Sequence, residues 1–151
     1  MIELVFVNQT ATKFQRQFLK QWLEAVVALL PTHDRRKLNA KNWQLTLVFL
    51  SKAHARKLNR EYRQKDYATD VLSFAGDGEE LLGELAFCPD VLRQQAQEHK
   101  LTFKAELAYM LLHGLLHLLG YDHEGSAARA RQMFTLQDRI FTKLQSLHSA
   151  N

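Results

Sequence analysis

His113-Gly114-Leu115-Leu116-His117-Leu118-Leu119-Gly120-Tyr121-Asp122-His123 is the stretch that decides how this chain folds and what it can hold. His113 and His117 are four residues apart, so on an α-helix both imidazoles project from one face, one turn apart. Gly120 best tolerates a left-handed helix end, so the helix stops there and the chain turns back. Three residues later His123 offers a third imidazole. Leu111, Leu112, Leu115, Leu116, Leu118 and Leu119 make the helix apolar almost all round, which predicts burial. A histidine pair at this spacing is ordinarily packing or surface. Buried without partners, however, the two rings would lose hydration uncompensated, and a shared metal ion removes that cost. Three neutral nitrogen ligands with an open fourth position are what a catalytic zinc ion requires.

The zincin pattern His-Glu-x-x-His places a general-base glutamate directly after the first histidine, and the metzincin form adds Gly and His at the offsets found here. This chain has Gly114 in place of that glutamate. A metal scaffold is therefore expected, and a metalloprotease mechanism is not.

Outward from this helix, 151 residues suffice for one domain with its own core, spanning 1–151. With 46% hydrophobic and 24% charged residues, the chain is globular rather than disordered. The apolar run Leu107 to Gly120 is too short for a bilayer, which needs about 20 residues. No basic segment precedes the apolar Ile2–Val7, so neither a signal peptide nor a membrane partner is expected. Cys88 is the single cysteine, which excludes an internal disulfide and fits a cytoplasmic location. Residues 1–65 hold 13 Lys and Arg against 4 Asp and Glu, whereas residues 66–151 hold 7 against 12. A basic N-terminal half within a net charge of +4 points to a polyanionic partner.

The remaining elements follow from periodicity. Ile2 to Val7 reads as a strand. Phe14, Phe18, Trp22, Val26 and Leu30 recur every four residues in a helix that Pro31 closes. A polar loop from His33 to Lys41 leads to a strand at Trp43 to Leu50. Ser51 caps a helix to about Arg63, and strands are expected at Asp70 to Phe74 and Leu81 to Phe87, joined by a turn at Gly76-Asp77-Gly78. Pro89 opens a helix to His99, Thr102 caps the histidine helix, and Ser126 opens a last helix to about His148. The pattern predicts an α/β (α+β) single domain: a four-stranded mixed sheet with its last two strands antiparallel, packed with about five helices.

In the helix after Ser51, Lys52, Arg56, Arg60 and Arg63 fall within an arc of about 80° at 100° per residue. Like charges at this spacing repel by about 0.2–0.5 kcal/mol per pair, and phosphates would compensate them. An ordinary solvated face is the alternative, with Arg60 and Arg63 suited to the helix C-terminus.

Two segments carry a family resemblance. One is Leu58-Asn59-Arg60-Glu61-Tyr62-Arg63-Gln64-Lys65-Asp66, continuing to Thr69-Asp70-Val71-Leu72-Ser73-Phe74; the other is His113 through His123, with Leu82-Gly83-Glu84-Leu85 between them. In these the chain resembles the YbeY family of metal-dependent bacterial endoribonucleases, over nearly its whole length. Ala75 stands where Pro commonly follows Ser-Phe, and Glu84 stands for Asp. The resemblance implies a single-strand-specific RNase for ribosomal RNA, notably the 3′ end of 16S rRNA, and for ribosome quality control. It implies His113, His117 and His123 as zinc ligands and Arg63 as the functionally important arginine.

The expected chemistry is metal-assisted phosphodiester hydrolysis, with the ion lowering the pKa of water or polarising a phosphoryl oxygen. Arg63 would hold the scissile phosphate and stabilise developing charge. Lys52, Arg56 and Arg60 would track the RNA backbone; Tyr67, Phe74 or Tyr121 could stack on an unpaired base. Asp122 is either a hydrogen-bond partner for a ligand histidine or a turn residue. Three histidines leave nickel or copper open beside zinc. The expected partners are single-stranded RNA and ribosomal components, not DNA. The competing reading is a non-catalytic ribosome-assembly factor with a structural zinc, for which Asp122, Glu124 or Cys88 would supply a fourth ligand. A metallohydrolase of another class would leave the basic helix unexplained.

Overall fold

A computed structural model gives the fold and describes residues 1–149. Strand β1 (Ile2–Asn8) is followed by helices α1 (Arg16–Leu29) and α2 (Thr32–Asn39), then by β2 (Trp43–Phe49) and α3 (Lys52–Arg63). The chain continues through β3 (Val71–Ala75), β4 (Leu81–Phe87), α4 (Pro89–His99) and α5 (Phe103–Leu118), and ends in α6 (Ala127–Lys143) and the single turn α7 (Gln145–His148). The sheet order is β1-β2-β4-β3. β1 and β4 run parallel to β2, whereas β3 pairs antiparallel with β4, as the short Gly76–Gly78 connection requires. Asp77 Oδ1 builds that turn by accepting the N–H groups of Glu79, Glu80 and Leu81.

Ten of the 16 residues of α5 are buried, because its apolar circumference meets the sheet on one side and other helices on the rest. The sheet contributes Leu45, Leu47, Phe49, Leu85 and Phe87, each fully buried. From α1, the buried Trp22 donates its indole N–H to Ala108 O at 2.8 Å, which fixes α1 against α5. This packing sets the orientation of the histidine face.

Among the described residues the chain forms seven helices rather than about five, and both additions have local causes. Leu30 precedes a proline and is forced extended (ψ 155), which ends α1. Pro31 then stands at the N-cap of α2, where a polar loop was expected. That helix has one fully buried apolar residue, Leu38, so no periodicity announces it. The last helix breaks after Lys143, and α7 folds back so that His148 stacks on Phe141 at 3.8 Å between ring centroids. Phe14 lies ahead of α1 and stacks on Phe49 instead. Among the described residues no helix is long and apolar enough to cross a membrane.

Candidate metal centre

Helix α5 begins at Thr102, whose hydroxyl accepts the Ala105 N–H at 3.1 Å, and ends as the glycine predicts. Gly120 has φ +99; its N–H donates to His117 O and the Tyr121 N–H to Leu116 O, both at 3.0 Å. This paired closure needs a left-handed residue and reverses the chain immediately. Asp122 Oδ1 then accepts the Glu124 N–H at 2.8 Å, and Ser126 caps α6 through the Arg129 N–H. His123 is thereby carried back over the end of α5.

The three imidazoles converge. One candidate ligand atom from each of His113, His117 and His123 lies within 4.8 Å of the others, and neighbouring ring centroids are 4.8–5.1 Å apart. Their surroundings suit a divalent cation. His123 Nδ1 is buried and has no hydrogen-bond partner among the described residues. His113 Nδ1 is bonded to Gln137 Oε1 at 2.9 Å; because a carbonyl oxygen only accepts, the proton is on Nδ1 and the Nε2 lone pair is free. Burial, reinforced by the neighbouring imidazoles, pushes His117 down to about 4. Burial also lowers His113, against the opposing hydrogen bond that its Nδ1–H donates to Gln137 Oε1. Both rings are therefore neutral near pH 7, the state in which nitrogen binds a metal.

Gln137, fully buried on α6, is the group that sequence reasoning missed here. Its signal is a polar residue within the buried stripe Met133, Gln137, Ile140. Hydrogen bonds to the far nitrogen of a ligand histidine fix its tautomer and ring angle. Gln137→Leu is expected to weaken metal affinity by about 10- to 100-fold with unchanged helix content, read by competition with a chromophoric chelator. Asp122 spends its described hydrogen bond on the turn rather than on a ligand ring.

Gly114 also has a physical reason. A Cβ there would lie 2.7 Å from both methyl carbons of Leu85, a fully buried residue of β4. The position faces the sheet, so a glutamate in it would be driven into the core instead of toward the histidines.

The histidines open into a cleft of about 570 Å³, whose walls include Arg63, Lys65, Tyr67, Glu124, Phe134 and Gln137. Arg63 reaches this cleft from the C-terminal end of α3, as Ser51 capping and the left-handed Gln64 at the other end dictate. Its Nη2 pairs with Glu124 Oε1 at 2.9 Å, and the same carboxylate oxygen lies 3.8 Å from His123 Nε2. Both side chains are substantially exposed, so the pair is worth only about 0–1 kcal/mol and leaves Arg63 available to an incoming anion. The buried Asn59 steadies the loop beneath by donating to Tyr67 O at 2.9 Å.

The rest of the basic stripe is less concentrated. Arg56 holds Asp66 in a two-pronged ion pair at 2.8 and 2.9 Å, and Arg60 approaches the same carboxylate at 3.8 Å. Asp66 thus supplies part of the compensation assigned to phosphates, and the pairing lowers its own pKa. Lys52 and Arg56 line a separate shallow depression between α3 and α4. Of the proposed stacking residues, Tyr67 lines the cleft. Tyr121 instead donates to the buried Asp34 at 2.7 Å, and burial together with that bond raises it to about 12. Phe74 meets Tyr62 edge-on at 5.3 Å. Cys88 is buried at the head of α4 and is not among the cleft residues.

Comparison with known proteins converges on one group. The sequence profile of the family described as Endoribonuclease YbeY matches residues 5–145. A protein named Endoribonuclease YbeY from Bdellovibrio bacteriovorus is 48% identical over 149 residues, covering 99% of both chains. A namesake from Staphylococcus carnosus is 35% identical over 80% of this chain and 84% of its own. A Thermotoga maritima protein solved in solution superposes with a TM-score of 0.63 at 28% identity, covering 97% of this chain and 90% of that one.

Proposed function

Because this chain belongs to the YbeY endoribonuclease family, we propose that it hydrolyses single-stranded RNA at the histidine cleft. The observation that carries this reading is the Arg63 guanidinium on the same cleft as three converging, metal-competent imidazoles. In this reading, His113, His117 and His123 hold one zinc ion and residues 1–151 act as one endoribonuclease domain. The substrate is ribosomal RNA, at the 3′ end of 16S rRNA, in cytoplasmic ribosome maturation and quality control. Ribosomal components are the partners.

The ion, when bound, supplies Lewis acidity. The chain's own groups do the rest. Gln137 holds the His113 ring in the Nδ1–H form, and Gly120 returns His123 to the other two. An RNA phosphate displaces the Glu124 carboxylate from Arg63, whose planar fork matches the phosphoryl oxygens and strengthens its hold as negative charge grows. Freed from Arg63, the Glu124 carboxylate stays beside His123, whose Nε2 lies 3.8 Å from Oε1. Lys65 adds positive potential at the cleft, and Lys52, Arg56 and Arg60 lead the backbone along α3, a path of roughly 16 Å at 1.5 Å per residue.

The test uses one RNA spanning a 16S rRNA 3′ end, presented single-stranded and annealed to its complement. The single strand is expected to be cut much faster. Equal rates would remove the strand preference. Binding of the RNA without cleavage would return the reading to an assembly factor.

A further inference from the structure

Large apolar side chains left in water call for a reason when they gather at a site. Five stand out among the described residues: Met1, Val7, Tyr62, Tyr67 and Phe134. Tyr62 is accounted for by its edge contact with Phe74. Met1 and Val7 do not line the histidine cleft, whereas Tyr67 and Phe134 both do.

Tyr67 is 54% exposed on the loop after α3, and its ring has no aromatic or hydrogen-bonding partner among the described residues. The Asn59 bond fixes the backbone at that point, so the ring is presented from an anchored loop. Phe134 is 38% exposed on α6. Its ring neighbours the imidazoles of His113, with centroids 6.1 Å apart and planes 23° apart, and of His123, at 5.7 Å. Neither side chain contributes a polar group that hydrolysis needs. What they offer beside Arg63 and Lys65 is an apolar planar surface next to positive charge, the combination that single-stranded nucleic acids recognise.

We propose that Tyr67 and Phe134 form a nucleobase-stacking subsite, in which unpaired bases flanking the phosphate on Arg63 lie against the two rings. The proposal rests on the RNA-cleaving reading of the cleft and adds the origin of its strand preference. Bases within a duplex are already stacked and paired, so they cannot occupy these rings without unpairing. A chain bearing any base can, because every base has a π-face.

The experiment measures kcat and KM on a short single-stranded RNA for wild type, Tyr67→Leu, Phe134→Leu, Tyr67→Phe and Phe134→Tyr. Metal content is determined for each. A second arm gives the wild-type protein the same RNA with abasic nucleotides on both sides of the cleaved bond. Each leucine variant is expected to raise KM roughly 5- to 100-fold, with the aromatic replacements restoring it. Abasic RNA should impose a comparable rise on the wild type. That arm decides even where Phe134→Leu disturbs the histidines. Unchanged KM for abasic RNA, or leucine variants that match the aromatic ones, would overturn the subsite while leaving RNA cleavage intact. Absence of cleavage by the wild type would overturn the RNA reading itself and the subsite with it.

Discussion

His117→Ala should remove stoichiometric metal and RNA cleavage together while leaving the fold in place. His117 is one of three imidazoles that cluster among the described residues, and two histidines do not make a complete site for a catalytic ion. Lewis-acid assistance supplies several kcal/mol of transition-state stabilisation, so its loss slows cleavage by about 10³-fold or more. Local structure should tolerate the change. His117 is only half-buried, and the end of α5 is tied by the backbone bonds of Gly120 and Tyr121. Elemental analysis and circular dichroism check the two halves of the prediction. A folded variant that keeps a full equivalent of metal would remove the histidine assignment.

Arg63→Ala should lower kcat by about 10²- to 10³-fold, the usual cost of deleting one charge-stabilising donor. Metal content should not change, since Arg63 belongs to α3 and is not one of the clustered imidazoles. Nor should stability change much, because the Arg63–Glu124 pair is exposed on both sides. Arg63→Lys keeps the charge but loses the planar fork, so it should recover only part of the rate. A kcat equal to wild type would shift the phosphate role to another cation, with Lys65 the first to replace.

What could be read from the sequence follows from how local each signal is. The histidine helix and its glycine stop are encoded within a few residues, as are the caps Ser51, Thr102 and Ser126, and the structure carries all of them. The antiparallel β3–β4 pair was legible because a short Gly-rich turn permits little else. Helix α2 was not: its single buried leucine leaves no apolar rhythm, and Pro31 reads as a stop when it is also a start. At the site, the three histidines were legible because one turn of helix and one reversal bring them together. Gln137 is 24 residues from His113, and its meeting with that ring depends on how α6 packs across α5. The Arg63–Glu124 and Arg56–Asp66 pairs depend on loop paths that carry no periodic signal. For the same reason no local signal announces that Tyr121 is engaged with Asp34 of α2, a helix without apolar periodicity.

Dependence of RNA cleavage on a metal ion at these histidines can be titrated. The most direct measurement strips the wild-type protein with a chelator, returns zinc in known increments, and follows the initial rate on single-stranded RNA. Metal dependence requires no cleavage by the stripped protein and a linear rise with zinc that levels at one ion per chain. Undiminished cleavage by the stripped protein would contradict it.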